Sequence, residues 1–139
     1  MLKIKKIKLN CNFVLRALPE FIELKKNIDR GKLGKIYYIE GDYNYGRLEK
    51  LVNGWRGKIK NYSVTLGGTV HFIDLVLWLT NKNISKVISE GNNISTKKTN
   101  FKINDLVTSL IKMTDNSLLK FTANFGSVTP HHHLLRVYG

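Results

Sequence analysis

A chain of 139 residues with 42% hydrophobic content is large and apolar enough to bury one sizeable core, which excludes intrinsic disorder and predicts a single domain. Its formal charge of +13 comes from 18 lysines against 5 arginines, and Lys, Ile and Asn together fill 45 of the 139 positions, so the charge reads as solvated surface rather than a nucleic-acid patch. No apolar run reaches the ~18 residues that cross a bilayer, and the opening Met1-Leu2-Lys3-Ile4-Lys5-Lys6 has neither the apolar stretch nor the cleavage site of a secretory signal. The expectation is a cytosolic (cytoplasmic) protein whose lone Cys11 acts as a small apolar filler.

Lys3, Lys5, Lys6 and Lys8 alternate with apolar residues in a basic segment, 1–11. Pro19 then suits the first turn of a helix, Leu18, Phe21, Ile22 and Ile28 supply its apolar stripe, and Gly31 is placed to end it, giving a helix over about 18–30. From Ile36 to Tyr45, Tyr37, Ile39, Tyr43 and Tyr45 alternate with Tyr38, Glu40, Asp42 and Asn44, the period of a strand with one aromatic face. Residues 46–62 carry Gly, Asn, Lys and Arg around Trp55-Arg56 and read as a long loop, a length that usually signals function. A helix over about 64–80 follows, stopped by Asn81-Lys82-Asn83. Strands are predicted at 84–95, 104–113 and 118–128, the last with Leu119, Phe121, Ala123 and Phe125 on one face. Thr114-Asp115-Asn116-Ser117 joins two of them as a hairpin, and a final strand runs over 132–138. The order α, β, α, β, β, β, β predicts an α+β domain, a mostly antiparallel sheet with helices packed on one face. Apolar residues on both sides of several strands imply that a partner domain or a second subunit covers the other face.

The most informative stretch is Gly67-Gly-Thr-Val-His-Phe-Ile-Asp-Leu-Val-Leu-Trp78. Helical spacing puts His71, Asp74, Leu75 and Trp78 on one stripe, with Gly67 and Gly68 one turn below the imidazole. Two readings stand: a buried histidine satisfied by Asp74, or a working imidazole, the side chain whose ordinary pKa lies nearest neutrality. Pro130-His131-His132-His133 invites zinc, but along a strand only His131 and His133 share a face, and no carboxylate or thiol is adjacent, so no metal site is expected. Two G-x-x-G runs, Gly31-Lys32-Leu33-Gly34 and Gly54-Trp55-Arg56-Gly57, mimic the backbone-clamping loop of KH domains, yet the first leads into a strand and the second lies in a loop.

Asn12-Phe13-Val14-Leu15-Arg16, Gly31 to Ile36, Gly54-Trp55-Arg56-Gly57 and His71-Phe72-Ile73-Asp74 with Trp78-Leu79, in that order and spacing, make residues 12–139 resemble the C-terminal domain of the Gfo/Idh/MocA oxidoreductases. The resemblance implies an NAD- or NADP-dependent enzyme acting on a sugar or polyol derivative, in which this domain contacts substrate and forms the subunit interface. It gives His71 the role of catalytic proton-transfer or substrate-orienting residue and places Arg56 at the active-site rim. Trp55, Tyr43, Tyr45 and Asp74 join as substrate-binding candidates. Where family members carry an aspartate one turn before the histidine this chain has Gly67, and where they carry a glycine triplet it has Asn61-Tyr62-Ser63. No G-x-G-x-x-G occurs, so no cofactor site is expected in this chain. The expected partners are a missing or separately encoded dinucleotide-binding domain, a sugar-like small molecule, and further copies of the chain through the sheet face. A truncation at the C-terminus, and hence a fragment or half of a split gene, is expected too. A non-catalytic binding or scaffold module is the alternative, with nucleic-acid binding behind it.

Overall fold

Among the described residues, five strands and three α-helices are arranged as one sheet with a helical layer on one side. The computed structural model describes Lys8 and residues 11–139; Lys3, Lys5 and Lys6 of the basic segment lie outside the described residues. A 3-10 turn, Val14–Ala17, leads into α1, Pro19–Asp29, which starts on proline and ends before Gly31 at φ +69°. Strand β1 is Tyr38–Asn44 and α2 is Leu48–Val52, followed by a 3-10 turn at Trp55–Lys58. A π-helical turn, Thr65–Thr69, runs straight into α3, Val70–Thr80, and Asn81 at φ 53° closes that helix. Strands β2 (Ile84–Asn92), β3 (Leu106–Met113), β4 (Leu118–Asn124) and β5 (His132–Tyr138) complete the fold.

The sheet order is β2-β3-β4-β1-β5, with β1 parallel to β4 and every other pairing antiparallel. The single parallel contact has a cause: the chain between β1 and β4 carries α2 and α3 across one face, a crossover no tight turn could make. The β3–β4 turn forms on Asn116 at φ 68°, with the Asp115 carboxylate accepting from the Ser117 amide and hydroxyl. On the helical side, Ile39, Tyr43, Ile111, Met113, Leu119, Phe121 and Ala123 are buried. Helix α3 lays Phe72, Leu75, Val76 and Leu79 onto them, and the Phe72 ring stacks on Phe121 at 5.7 Å between centroids. Each such side chain is worth about 1.5–3 kcal/mol of burial, so α3 is the element that secures the helical layer.

The opposite face stays open. Its centre is polar: Glu40 accepts from Arg136 at 3.0 Å and from the Tyr138 hydroxyl at 3.3 Å, with Lys120 nearby. Towards β2, Ile88, Leu110 and Leu118 are exposed apolar residues.

Three expectations are corrected. Residues 46–62 are not one loop, because Leu48, Leu51 and Val52 make a one-turn helix seated by the fully buried Leu51, too short a pattern to show periodicity. Tyr37 is not on the aromatic face; it precedes β1, tied by backbone bonds to Tyr138 and Leu118, and is 61% exposed. Cys11 is exposed rather than a core filler. No helix among the described residues is long and apolar enough to cross a membrane.

Candidate functional site

Alternation along β1 directs Tyr43 and the following Tyr45 to the helical side, where Phe125, just past β4, joins them. Tyr43 stacks on Phe125 at 5.6 Å and Tyr45 on Phe125 at 4.4 Å, giving an aromatic floor at one end of the sheet. The π-helical turn lies on this floor because Gly67 and Gly68 have no side chains. A Cβ on Gly68 would stand 2.8 Å from Tyr43 and 2.9 Å from Phe125, and one on Gly67 would fall on the Tyr62 hydroxyl. One turn later comes His71.

The His71 ring lies 6.4 Å from Tyr43 and 6.5 Å from Phe13. Its Nδ1 is buried and has no hydrogen-bond partner among the described residues. Nε2 has no partner among the described residues either, and the residue as a whole is half-buried. Burial lowers its pKa, an effect partly opposed by the charge of Asp74. Asp74 itself is turned away. Its two carboxylate oxygens accept from Nε and Nη2 of Arg16, the first at 2.7 Å, pinning α3 to the 3-10 turn at Val14–Ala17. Asp74 therefore acts on His71 through space rather than through a hydrogen bond.

Two more imidazoles arrive from the other edge. Gly46, at φ +57°, lets the segment before β5 approach so closely that a Cβ there would meet the Thr129 carbonyl at 2.0 Å. That approach seats His131, whose Nδ1–H donates to the Tyr45 carbonyl at 3.1 Å. His133 sits 4.8 Å from Tyr43 and 4.9 Å from His131, ring to ring. Its pKa is lowered by desolvation and then by the neighbouring imidazoles, His131 first. His132 points the other way, its Nδ1–H donating to the Pro130 carbonyl and its Nε2 accepting from Asn44. Among the described residues no group of three His, Cys, Asp or Glu side chains is placed to hold a metal ion.

The rim comes from residues 47–67. Arg56 Nε donates to the Tyr62 hydroxyl at 3.1 Å, while its guanidinium lies 4.5 Å from the Trp55 ring and 5.5 Å from Tyr45. Burial pushes the Tyr62 phenol up in pKa and Arg56 opposes it. Trp55 is 60% exposed, and with Arg56, Ile59, Tyr62, Leu66 and Gly67 it lines a shallow groove of about 290 Å³. A second concavity of about 270 Å³, lined by Ile28, Lys35, Thr80 and Asp115, lies at the far end of α3. That is roughly 14 Å along the helix from His71, too far to share its chemistry.

Thus Trp55, Arg56, Tyr45, Tyr43 and His71 form one contiguous cluster, linked through Tyr62 and Phe125, in which the Tyr43 and Tyr45 rings are buried and Trp55 is exposed. Sequence reasoning did not select Tyr62, Phe125, Arg47, His131 or His133. The alternation of His131 and His133 was a signal, but the strand they would face was not readable. Gly67 and Gly68 open a helix but leave no room to cradle a pyrophosphate, because Tyr62, Tyr43 and Phe125 fill the space beside them.

A family model described as the GFO/IDH/MocA C-terminal domain matches residues 21–139. The chain belongs to this family. Among solved structures, scyllo-inositol dehydrogenase from Lactobacillus casei, with bound NAD(H) and scyllo-inositol, superposes with a TM-score of 0.83 at 20% identity, covering 99% of this chain and 41% of that one. For myo-inositol 2-dehydrogenase from Lactobacillus plantarum the TM-score is 0.83 at 19% identity, covering 92% and 38%. An inositol dehydrogenase homolog from Azotobacter vinelandii, complexed with NADH and myo-inositol, gives 0.80 at 15% identity, covering 99% and 36%. At these identities the likeness establishes the Gfo/Idh/MocA C-terminal fold, and the chain spans about two fifths of the length of these dehydrogenases. No curated protein matches the sequence.

Proposed function

We propose that this chain is the substrate-binding and oligomerisation part of an NAD(P)-dependent oxidoreductase acting on a sugar or polyol derivative, with NAD or NADP held by a separate dinucleotide-binding domain. The observation that supports this reading is His71: a half-buried imidazole without a hydrogen-bond partner among the described residues, at the end of an aromatic floor, in a fold shared with inositol dehydrogenases. When bound, the nicotinamide supplies hydride chemistry. This chain supplies the rest: the exposed Trp55 ring and Arg56 at the rim to meet the substrate, and an imidazole for the proton of the reacting hydroxyl.

A carbinol that gives up hydride must also lose its O–H proton, and a base within about 3 Å accelerates that step. Burial favours the neutral form of His71, the form that can accept a proton. The charge of Asp74 then favours the imidazolium, although no acceptor meets Nδ1. That missing acceptor is the one observation favouring a non-catalytic binding module.

The test is a chimera in which this chain replaces the matching part of the Lactobacillus casei scyllo-inositol dehydrogenase. The chain alone is expected to give no heat with NADH or NADPH in calorimetry, whereas the chimera binds NADH and turns over at least one member of a polyol panel. Micromolar nucleotide affinity in the isolated chain, or a folded, NADH-binding chimera with no turnover on any polyol, contradicts the proposal.

A further inference from the structure

The fold uses the ring of Tyr62, and the hydroxyl has a proton to spare. The ring meets Trp55, Phe101 and Phe125 at steep angles, each 6.3 Å away between centroids, contacts that a phenylalanine would make as well. The hydroxyl does something further. It accepts from Arg56 Nε at 3.1 Å, and it fills the space where a side chain on Gly67 would begin, so only glycine at 67 admits it. Arg56, Gly67 and Tyr62 all line the groove of about 290 Å³ beside the exposed Trp55 ring. The oxygen that stands against the first two therefore belongs to the wall of that groove.

A phenol has one proton to donate and lone pairs with which to accept. At Tyr62 the Arg56 N–H takes a lone pair, and no acceptor meets the proton among the described residues. On the other face of the sheet the Tyr38 and Tyr138 hydroxyls both donate to Glu40. A bond received from a guanidinium is charge-assisted and polarises the O–H, which strengthens it as a donor. Burial raises the pKa of the phenol against the opposing effect of Arg56, so the proton is in place near neutral pH. Tyr62 is only 9% exposed, and a donor so enclosed is satisfied when an oxygen enters the groove to meet it.

We infer, resting on the sugar or polyol substrate proposed above, that Tyr62 is a specificity-determining residue: its O–H donates to one hydroxyl oxygen of a polyol seated in the groove beside Trp55. Arg56 aims the phenol, Gly67 makes room for it, and ligands lacking that hydroxyl are bound less well.

The test titrates the full chain, isotopically labelled, with myo-inositol and its monodeoxy analogues, and reads NMR shifts at the Trp55 indole N–H and the Arg56 Nε–H. The wild-type chain is expected to bind myo-inositol and to bind one analogue about three- to tenfold more weakly, the share of a single neutral hydrogen bond. Tyr62→Phe keeps the ring contacts and removes only the hydroxyl. It should weaken myo-inositol by the same factor, no longer distinguish that analogue from the parent compound, and unfold at nearly the wild-type urea concentration. Undiminished affinity in Tyr62→Phe, or a loss equal for every analogue in the wild-type chain, overturns the donor role and leaves the substrate reading standing. A Tyr62→Phe midpoint far below wild type, with discrimination among the analogues retained, shows that the hydroxyl serves the fold and overturns it too. No shift with myo-inositol or any analogue in the wild-type chain overturns the donor role and the substrate reading together.

Discussion

At the scale of single residues, His71 and Asp74 define what the site can do. Sequence spacing put them on one helical stripe and left open whether they pair. The structure separates them because Arg16, 58 positions earlier, takes both carboxylate oxygens, a tertiary contact that helical periodicity could not contain. Asp74→Asn should therefore cost about 1–2 kcal/mol through the lost charge-assisted bonds, read by urea unfolding. It should also lower the pKa of His71 further, since the Asp74 charge now opposes the effect of burial. An unchanged or raised His71 pKa in an NMR titration would show that Asp74 does not act on the ring. His71 and His133 both bind protons less readily when folded. As pH falls below the ordinary histidine value of about 6.5 the unfolded chain takes up protons first, so stability is full above that pH and declines below it. Urea midpoints at pH 7.5 and 5.5 should differ in that direction, and His133→Asn should narrow the gap; a midpoint that rises on acidification contradicts the assignment.

At the scale of elements, periodicity revealed α1, the hairpin and β5, each marked by proline, glycine, turn residues or regular alternation. It did not reveal α2, whose five residues hold less than two turns, nor the π-helical start of α3. In that start Tyr62, from the segment read as loop, fills the space beside Gly67. Gly67→Ala should cost about 1–3 kcal/mol by overpacking and should displace Tyr62 from Arg56, changing the fluorescence of the neighbouring Trp55. Wild-type stability with an altered Trp55 signal would mean that Tyr62 yields freely and that the missing side chain at Gly67 is not required for packing. The candidate site was half legible for the same reason: Tyr43, Tyr45, Trp55, Arg56 and His71 carry recognisable chemistry, whereas Tyr62, Phe125, His131 and His133 become site residues only once β1, β4 and β5 lie side by side.

For the whole molecule, the fold class followed from the order of elements, but the parallel β1–β4 pairing did not, since strand order in a sheet is set by long-range packing. The open face, with Glu40 and Arg136 at its centre and Ile88, Leu110 and Leu118 towards β2, is the surface we propose for a second copy of the chain. Sedimentation should show a concentration-dependent dimer that Leu110→Glu dissolves without lowering the unfolding midpoint; a monomer at all concentrations contradicts this interface. The central claim is the role of His71, and the chimera with a dinucleotide-binding domain tests it most directly. His71→Ala should lower kcat by about 10²–10⁴-fold with KM and melting temperature little changed, whereas an unchanged kcat accompanied by lost stability would make the imidazole a packing residue and contradict the account.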